Sequence, residues 1–100
     1  MHIVTGWLRF KPEDRDEVVA GLKEITALSR RDPGCVDYWW AEQVDEPNTF
    51  RFFECWESED LFEAHRDQPH EHEFMERYVT RVTGADAHVY DGDNRRSAMG

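Results

Sequence analysis

A carboxylate, a tryptophan and two histidines lie close together in the second half of the chain. Glu54 precedes Trp56 by two residues in a strand-like run, so the two side chains share one face of that strand. His65 and His70 follow on either side of the break at Pro69. Because a histidine at a helix end beside apolar walls can titrate near neutrality and act as a base, we take His65 as the candidate base. We expect it to be partly exposed, with His70 or Glu54 orienting it.

Structural roles for the same residues stay open at this point. A histidine in this position also serves to cap helix carbonyls or to bond a neighbouring carboxylate, and that is the more frequent role of such a residue. A large aromatic side chain at a strand end, such as Trp56, usually packs in the core. The sequence therefore gives a candidate acid–base group and an equally simple structural explanation for it.

Other chemistries lack the residue spacing they need. His70 and His72 are two residues apart, about 200° around a helix, so they do not share a metal ion. The sequence has no His-x-x-x-His or Cys-x-x-Cys pattern, no Gly-x-Gly-x-x-Gly or Walker pattern and no Gly-x-Ser-x-Gly. We therefore predict no metal site, no nucleotide cofactor and no serine nucleophile.

The first half of the chain predicts a strand, a helix and a hairpin. Residues 2–10 are rich in β-branched and aromatic side chains and precede Pro12. The helix that follows has acidic residues in its first turn, ends before Pro33-Gly34, and carries an apolar stripe of Val18, Leu22, Ile25 and Leu28. Residues 36–44 and 49–57 flank a turn cluster and form a predicted hairpin.

The second half predicts two helices and a last strand. Ser58 is a typical N-cap for a short helix that runs to Arg66, and Pro69 suits the first position of a third helix. That helix repeats apolar residues on one face and ends at Gly84, before a strand over 85–90; the face consists of Phe74, Tyr78 and Val82. The order β-α-β-β-α(α)-β predicts an α+β, ferredoxin-like split βαβ fold with a four-stranded antiparallel sheet.

Both faces of this sheet are apolar. One face carries Val4, Leu8, Phe10, Phe50, Phe52 and Trp56, and the opposite face carries Ile3, Trp7, Phe53 and Cys55. Because the predicted helices cover one face, the other needs a partner, and a second copy of the chain is the simplest one. We predict a homodimer; the alternative is that these aromatic residues are scattered on the surface.

Composition excludes several classes of protein. The 100 residues carry 22 acidic against 12 basic side chains, a formal charge of -10, which argues against nucleic-acid binding. Because no apolar run approaches the roughly 18 residues of a membrane span and the first residues lack a secretory signal, we expect no membrane association and a cytoplasmic location.

Residues 1–90 are the predicted domain, and residues 91–100 are predicted to form a polar, flexible tail. Cys35 and Cys55 are predicted to be free, since the hairpin register offsets them by two or three residues.

Four segments resemble the antibiotic biosynthesis monooxygenase (ABM) domain family. They are Pro33-Gly34-Cys35, Pro47-Asn48-Thr49-Phe50, Phe53-Glu54-Cys55-Trp56-Glu57 and Glu63-Ala64-His65-Arg66-Asp67-Gln68-Pro69-His70. The resemblance spans residues 2–90 in the same order and implies a dimeric α+β barrel. It further implies a monooxygenase that needs no cofactor and oxidises a quinol or another electron-rich aromatic with dioxygen, while other relatives degrade haem or isomerise a signal molecule.

The resemblance also separates the sub-families. Haem-degrading relatives share Trp56 but carry an asparagine and a haem-ligating histidine where this chain has Gly6 and Phe74. Anthrone-oxidising relatives carry polar residues where this chain has Phe52 and Phe62. The quinol-type activity is therefore the expected one, and a haem-degrading oxygenase is a minor alternative.

Such a reaction needs a dry aromatic slot and one base. The expected base is His65, assisted by His70 or Glu54, and the expected slot is lined by Phe52, Trp56, Phe62, Phe74 and Tyr78. An isomerase of the same fold would need a similar acid–base pair without oxygen, and a binding module would need the slot alone. These two stay as alternatives.

Overall fold

A four-stranded antiparallel sheet with helices on one of its faces forms the molecule in the computed structural model, which describes residues 1–99. The strands are β1 (His2–Arg9), β2 (Cys35–Glu42), β3 (Thr49–Trp56) and β4 (Gly84–Asp91), and the helices are α1 (Arg15–Ser29), α2 (Glu59–Arg66) and α3 (Pro69–Tyr78). Short 3-10 turns occupy Pro12–Asp14 and Val79–Arg81. The strand order is β2-β3-β1-β4. The predicted α+β, ferredoxin-like fold is confirmed.

Local signals in the sequence set the ends of α2 and α3. Ser58 is extended and its side chain accepts a hydrogen bond from the backbone N–H of Leu61, which starts α2 as predicted. Pro69 is the first residue of α3, where its missing N–H costs nothing. These two starts place His65 near the end of α2 and His70 at the beginning of α3.

The predicted end of α3 is wrong. The helix stops at Tyr78, and after the 3-10 turn Val82 is already extended, with φ -65° and ψ 131°. The cause is strand pairing: the backbone N–H of Thr83 donates to the carbonyl of Arg9, and Gly84 pairs with Arg9 as the first residue of β4. Val82 therefore packs against the core from outside the helix.

The main core lies between α1, α3 and the helix-facing side of the sheet. Its buried side chains come from β3, the residue that follows β1, and two helices: Phe10, Val18, Leu22, Ile25, Phe50, Phe74 and Tyr78. Gly21 allows Tyr78 to pack directly on α1, because a Cβ at Gly21 would lie 2.4 Å from the tyrosine ring. Each large side chain buried here contributes about 1.5–3 kcal/mol to folding.

The opposite face of the sheet carries large apolar side chains that none of the described helices covers. Phe53 on β3 stacks on Trp39 of β2, with ring centroids 5.8 Å apart and planes 11° apart. Trp39 is 38% exposed and Tyr90 on β4 is 57% exposed. We call this surface, formed by Ile3, Trp7, Trp39, Phe53 and Tyr90, the open face.

Both cysteines are free, as predicted, but for a different reason. A bulge between Cys35 and Asp37 places Cys35 opposite Trp56 and Asp37 opposite Cys55. Cys35 therefore shares the helix-facing side with Trp56, whereas Cys55 lies on the open face. The two thiols point to opposite sides of the sheet, which prevents a disulfide.

The first residue of the chain, Met1, lies beside Gly92, just after β4. The backbone N–H of Gly92 donates to the carbonyl of Met1 over 2.9 Å, and the amino terminus bonds back to the carbonyl of Gly92. Strand β4 ends at Asp91, one residue beyond the predicted domain limit. The last residue of the predicted tail, Gly100, lies outside the described residues. None of the described helices is long and apolar enough to cross a membrane.

Candidate functional site

His65 lies at the centre of a buried cluster of polar side chains. It projects from the inner side of α2 and is 2% exposed. Its ring nitrogen Nδ1 lies 2.7 Å from Oδ2 of Asp32, and because an ionised carboxylate accepts hydrogen bonds, Nδ1 is the donor. The expectation of a partly exposed His65 is wrong, because α2 lies against the end of β3 and places this side chain inside the protein.

Asp32 joins the two histidines. The same oxygen, Oδ2, lies 2.8 Å from Nε2 of His70, so one carboxylate oxygen binds both imidazoles. Asp32 sits in the turn between α1 and β2, where its backbone N–H donates to the carbonyl of Ser29 and its own carbonyl accepts from Cys35. The turn thus fixes the carboxylate below the junction of α2 and α3.

The turn that carries Asp32 also depends on Gly34. Gly34 has φ +82°, and a Cβ at this position would lie 2.4 Å from Cδ1 of Leu61 on α2. The carbonyl of Gly34 accepts from the backbone N–H of Glu57 just after β3. Asp32 was not among the predicted site residues, because it precedes His65 by 33 residues. The only local signal at Asp32 is the Asp-Pro-Gly turn before β2.

Two further carboxylates face the other ring nitrogen of His65. Nε2 lies 3.3 Å from Oε2 of Glu71 on α3 and 3.6 Å from Oε1 of Glu54 on β3. The same Oε1 of Glu54 accepts a hydrogen bond from Nε1 of Trp56 over 3.2 Å. Glu54 and Trp56 thus share one face of β3, as predicted, and His70 approaches His65 through Asp32.

Aromatic rings enclose the imidazole of His65. Trp56, which is fully buried, stacks on it with ring centroids 4.5 Å apart and planes 28° apart. Phe62 lies at 6.4 Å and Tyr38 meets the imidazole edge-on at 6.0 Å. The acid–base cluster is therefore held in a dry, largely apolar environment, which strengthens every electrostatic interaction in it.

Burial and neighbouring charges shift the ionisation of this cluster. Burial raises the pKa of Glu54 to about 7, and the negative charge of Glu71 adds to this effect while His65 opposes it. Burial by itself lowers the pKa of His65, but the carboxylates of Glu71 and Asp32, which accept its ring protons, outweigh burial and raise that pKa above its ordinary value. Near neutrality, Glu54 can therefore take or give a proton, and the carboxylates around His65 favour the protonated form of its imidazole.

The structure separates the five predicted slot residues into two groups. Trp56 and Phe62 surround His65, whereas Phe74 and Tyr78 belong to the main core. Phe52 lies beside this core, with its ring 4.8 Å from that of Trp40. The predicted slot is thus filled by the protein's own side chains.

Open space lies elsewhere on the described molecule. A small cavity of about 30 Å³ between α1 and α3 is bordered by His70, Phe74 and Tyr78. A groove of about 500 Å³ separates α1 from β2, and one of about 400 Å³ lies on the sheet side that also carries the open face, beside Cys55. Trp56, His65 and Phe62 line none of these three.

Among the residues described, Asp32, His65 and His70 could hold a metal ion, since their ligating atoms all lie within 4.8 Å of one another. The prediction of no metal site considered only the spacing within α3, where His72 is exposed and His70 faces Asp32. It could not detect a ligand set assembled from three separate elements.

Solved structures with the same fold include two bacterial proteins. A provisionally assigned antibiotic biosynthesis monooxygenase of Deinococcus radiodurans matches with a TM-score of 0.90 and 23% identity over 100% of both chains. Rv0793 of Mycobacterium tuberculosis matches with a TM-score of 0.86 and 22% identity, over 96% of this chain and 98% of that one. At these identities, the likeness concerns the fold.

Sequence relatives and a family profile add to this likeness. The protein sll1783 of Synechocystis sp. is 35% identical over 75 residues, which is 75% of this chain and 51% of that protein, so the chain spans about half of this relative. YcnE of Bacillus subtilis, a provisionally named monooxygenase, is 30% identical over 70% of this chain and 74% of its own length. The profile described as antibiotic biosynthesis monooxygenase matches residues 1–77. The chain therefore belongs to the antibiotic biosynthesis monooxygenase family.

Proposed function

We propose that this monooxygenase-like protein oxidises an electron-rich phenol or hydroquinone with dioxygen and uses no cofactor. The observation that carries the proposal is the buried stack of His65 on Trp56, with one carboxylate oxygen of Glu54 next to both rings. It supplies an acid–base group and a flat aromatic surface within one dry environment, the two features that the reaction requires.

Glu54 is the better candidate for the base in this cluster. Its pKa of about 7 matches the proton transfers of a phenol at neutral pH, and its Oε1 lies between Trp56 and His65. His65 has both ring nitrogens facing carboxylates, so its charge stabilises an anion next to it. Asp32 and His70 position His65. The proposal thus keeps the three predicted catalytic residues and gives the proton-accepting role to Glu54.

The proposed reaction balances without an added oxidant or reductant. Glu54 removes the phenolic proton, and a ring carbon of the phenolate donates an electron pair to dioxygen to form a carbon–oxygen bond. Glu54 returns its proton to the outer oxygen of the peroxide anion, which gives a hydroperoxide. Its oxygen–oxygen bond then breaks, the ring carbon loses its hydrogen as a proton and becomes a carbonyl, and this proton and the departing hydroxide leave as water. One oxygen atom of dioxygen stays in the quinone product and the other leaves as water.

Substrate entry requires movement of α2. Phe62 on this helix is half-buried, lies 6.3 Å from the ring of Trp56 and has Arg66 over its outer face, so it closes the cluster towards solvent. Rotation of Phe62 would expose the edge of Trp56 to a planar ligand. Phe52, Phe74 and Tyr78 then contribute to the core of the fold and do not contact the reacting atoms.

We further propose that the working form is a homodimer joined through the open face. The aromatic pair Trp39 and Phe53 and the exposed Tyr90 form an apolar surface of the kind that monomeric proteins rarely expose. Two copies related by a twofold axis would bury this surface and close the two sheets into an α+β barrel.

Oxygen uptake with a panel of phenols and hydroquinones tests the activity. In an atmosphere of ¹⁸O₂, the proposal expects one labelled atom in the quinone and one in water, with turnover that survives dialysis against a chelator. Product without oxygen uptake would instead identify an isomerase. Saturable binding without product would identify a carrier of aromatic ligands.

A further inference from the structure

Three potential metal-ligating atoms, one each from Asp32, His65 and His70, lie close together although they come from three different elements. Oδ2 of Asp32 comes from the turn after α1, Nδ1 of His65 from α2 and Nε2 of His70 from the first turn of α3, and all lie within 4.8 Å of one another. We propose that these three side chains form a binding site for a divalent transition-metal ion of the zinc class. The proposal goes beyond the proposed oxidation, which requires no metal.

The donor set indicates which ions fit. Two imidazole nitrogens and one carboxylate oxygen suit Zn²⁺, Ni²⁺ and Cu²⁺, whereas Mg²⁺ and Ca²⁺ prefer oxygen ligands. The side chain of His65 is 1% exposed, that of Asp32 9% and that of His70 18%, so the site opens to solvent at His70. Three protein ligands with an opening on one side leave a fourth position for water.

The position of Glu71, next to the ring nitrogen of His65 that faces away from Asp32, supports the proposed metal site. Nδ1 of His65 points to the proposed site, and the opposite nitrogen, Nε2, lies 3.3 Å from Oε2 of Glu71. A carboxylate that accepts the proton of the second ring nitrogen is the usual partner of a metal-binding histidine, because it fixes the tautomer and the ring orientation. His65 therefore presents the nitrogen that a metal ion needs and keeps its remaining proton on the other one.

The distances describe the hydrogen-bonded form of the site. Oδ2 of Asp32 lies 2.7 Å from His65 Nδ1 and 2.8 Å from His70 Nε2. In a tetrahedral zinc site with bonds of about 2.0–2.1 Å, neighbouring ligand atoms are about 3.3–3.4 Å apart. Binding of the metal ion therefore requires the carboxylate of Asp32 to move away from each imidazole by roughly 0.6 Å. Rotation of the Asp32 side chain can supply this change.

Protons and the metal ion compete for the same atoms. On binding, the ring protons that occupy the hydrogen bonds from Nδ1 of His65 and Nε2 of His70 to Asp32 must leave these two nitrogens. The ion then occupies the space of the two hydrogen bonds, with the carboxylate of Asp32 as its third ligand. Because the ion replaces protons on its ligands, affinity rises with pH.

Calorimetric titration of the chelator-treated chain with Zn²⁺ tests the site without any substrate. The proposal expects one ion per chain and a higher midpoint of thermal unfolding, since the ion links three elements. Titration with Co²⁺ should give the visible absorption bands of a four-coordinate ion. Because no turnover is measured, failure here and failure of the proposed oxidation are separate results.

His72→Ala is the matched control, because His72 is exposed on the same helix and lies outside the cluster. His70→Ala should weaken Zn²⁺ binding at least about tenfold and abolish the thermal shift, while His72→Ala should leave both unchanged. If His70→Ala lacks a native circular dichroism spectrum, His70→Gln, which can still donate to Asp32, becomes the deciding variant. No binding to the wild type, or equal affinity in the His70 and His72 variants, would overturn the proposal.

Discussion

The imidazole of His65 lies on the indole of Trp56, with their ring centroids 4.5 Å apart. This contact joins the end of β3 to the inner side of α2 and buries both rings almost completely. Because the same imidazole also faces three carboxylates, the fold keeps a charged cluster next to a large aromatic surface. Burying charged side chains lowers the stability of the folded protein unless each of them has a partner. Substitutions in this cluster should therefore be the most informative ones.

Replacement of His65 should affect both stability and turnover. His65→Ala leaves Asp32 and Glu71 as buried carboxylates without their central cation, so we expect a loss of about 3–5 kcal/mol in the free energy of unfolding. Turnover of the folded fraction should fall by about 10²- to 10⁴-fold, since the positioned charge is lost. Urea unfolding and kinetics on the same preparation separate the two effects. His72→Ala serves as the control, and full specific activity in folded His65→Ala would refute a catalytic role.

The stability of the protein should depend on pH through Glu54. Its pKa is raised to about 7 in the folded chain, so the folded state holds this proton more tightly than the unfolded state does. The resulting stabilisation is complete below the pKa that Glu54 has in the unfolded chain, and it is lost as pH rises through about 7. His65 and Arg66 from α2 and Glu71 from α3 face this carboxyl, and its pKa includes their charges.

Glu54→Gln isolates this contribution. Between pH 4.5 and 7, the free energy of unfolding of the wild type should fall by about 2–3 kcal/mol relative to that of the variant, which has no proton to lose at this position. Urea unfolding of both proteins across this range measures the difference. Parallel pH profiles would show that the carboxyl of Glu54 ionises as it does in the unfolded chain.

The open face should mediate dimerisation. Light scattering at micromolar concentration should give twice the 11.9 kDa chain mass for the wild type. Phe53→Glu should give a folded monomer, because it places a charge at the centre of the apolar surface between the two copies. Val44→Glu, in the fully exposed turn after β2, is the control and should remain dimeric. A monomeric wild type would contradict the barrel.

Periodicity and turn residues predicted the fold because each element carries its own local signal. The pattern from Val18 to Ile25, the cap at Ser58 and the proline at Pro69 all depend on near neighbours, and the structure contains each of them. The end of α3 was predicted wrongly, because pairing between β4 and Arg9, a contact distant in sequence, decides where the chain becomes extended.

The candidate site was predictable in part. Glu54 and Trp56 are two residues apart on one strand, and their shared face follows from that spacing. The carboxylate of Asp32 comes from a turn 33 residues before His65, and the spacing within α2 and α3 carries no trace of it. Burial of His65 likewise depends on how α2 packs against β3. Sequence patterns therefore singled out Glu54, Trp56, His65 and His70, and tertiary packing brought Asp32 and Glu71 to His65.

We propose that the cluster around His65 and Trp56 oxygenates an aromatic substrate without a cofactor. The most direct measurement is ¹⁸O₂ labelling of the product formed from a hydroquinone by metal-free, chelator-dialysed protein, with His72→Ala and His65→Ala run in parallel. We expect one labelled atom per quinone for the wild type and His72→Ala, and a rate at least about 10²-fold lower for His65→Ala. An unlabelled product, or equal rates in all three proteins, would contradict it.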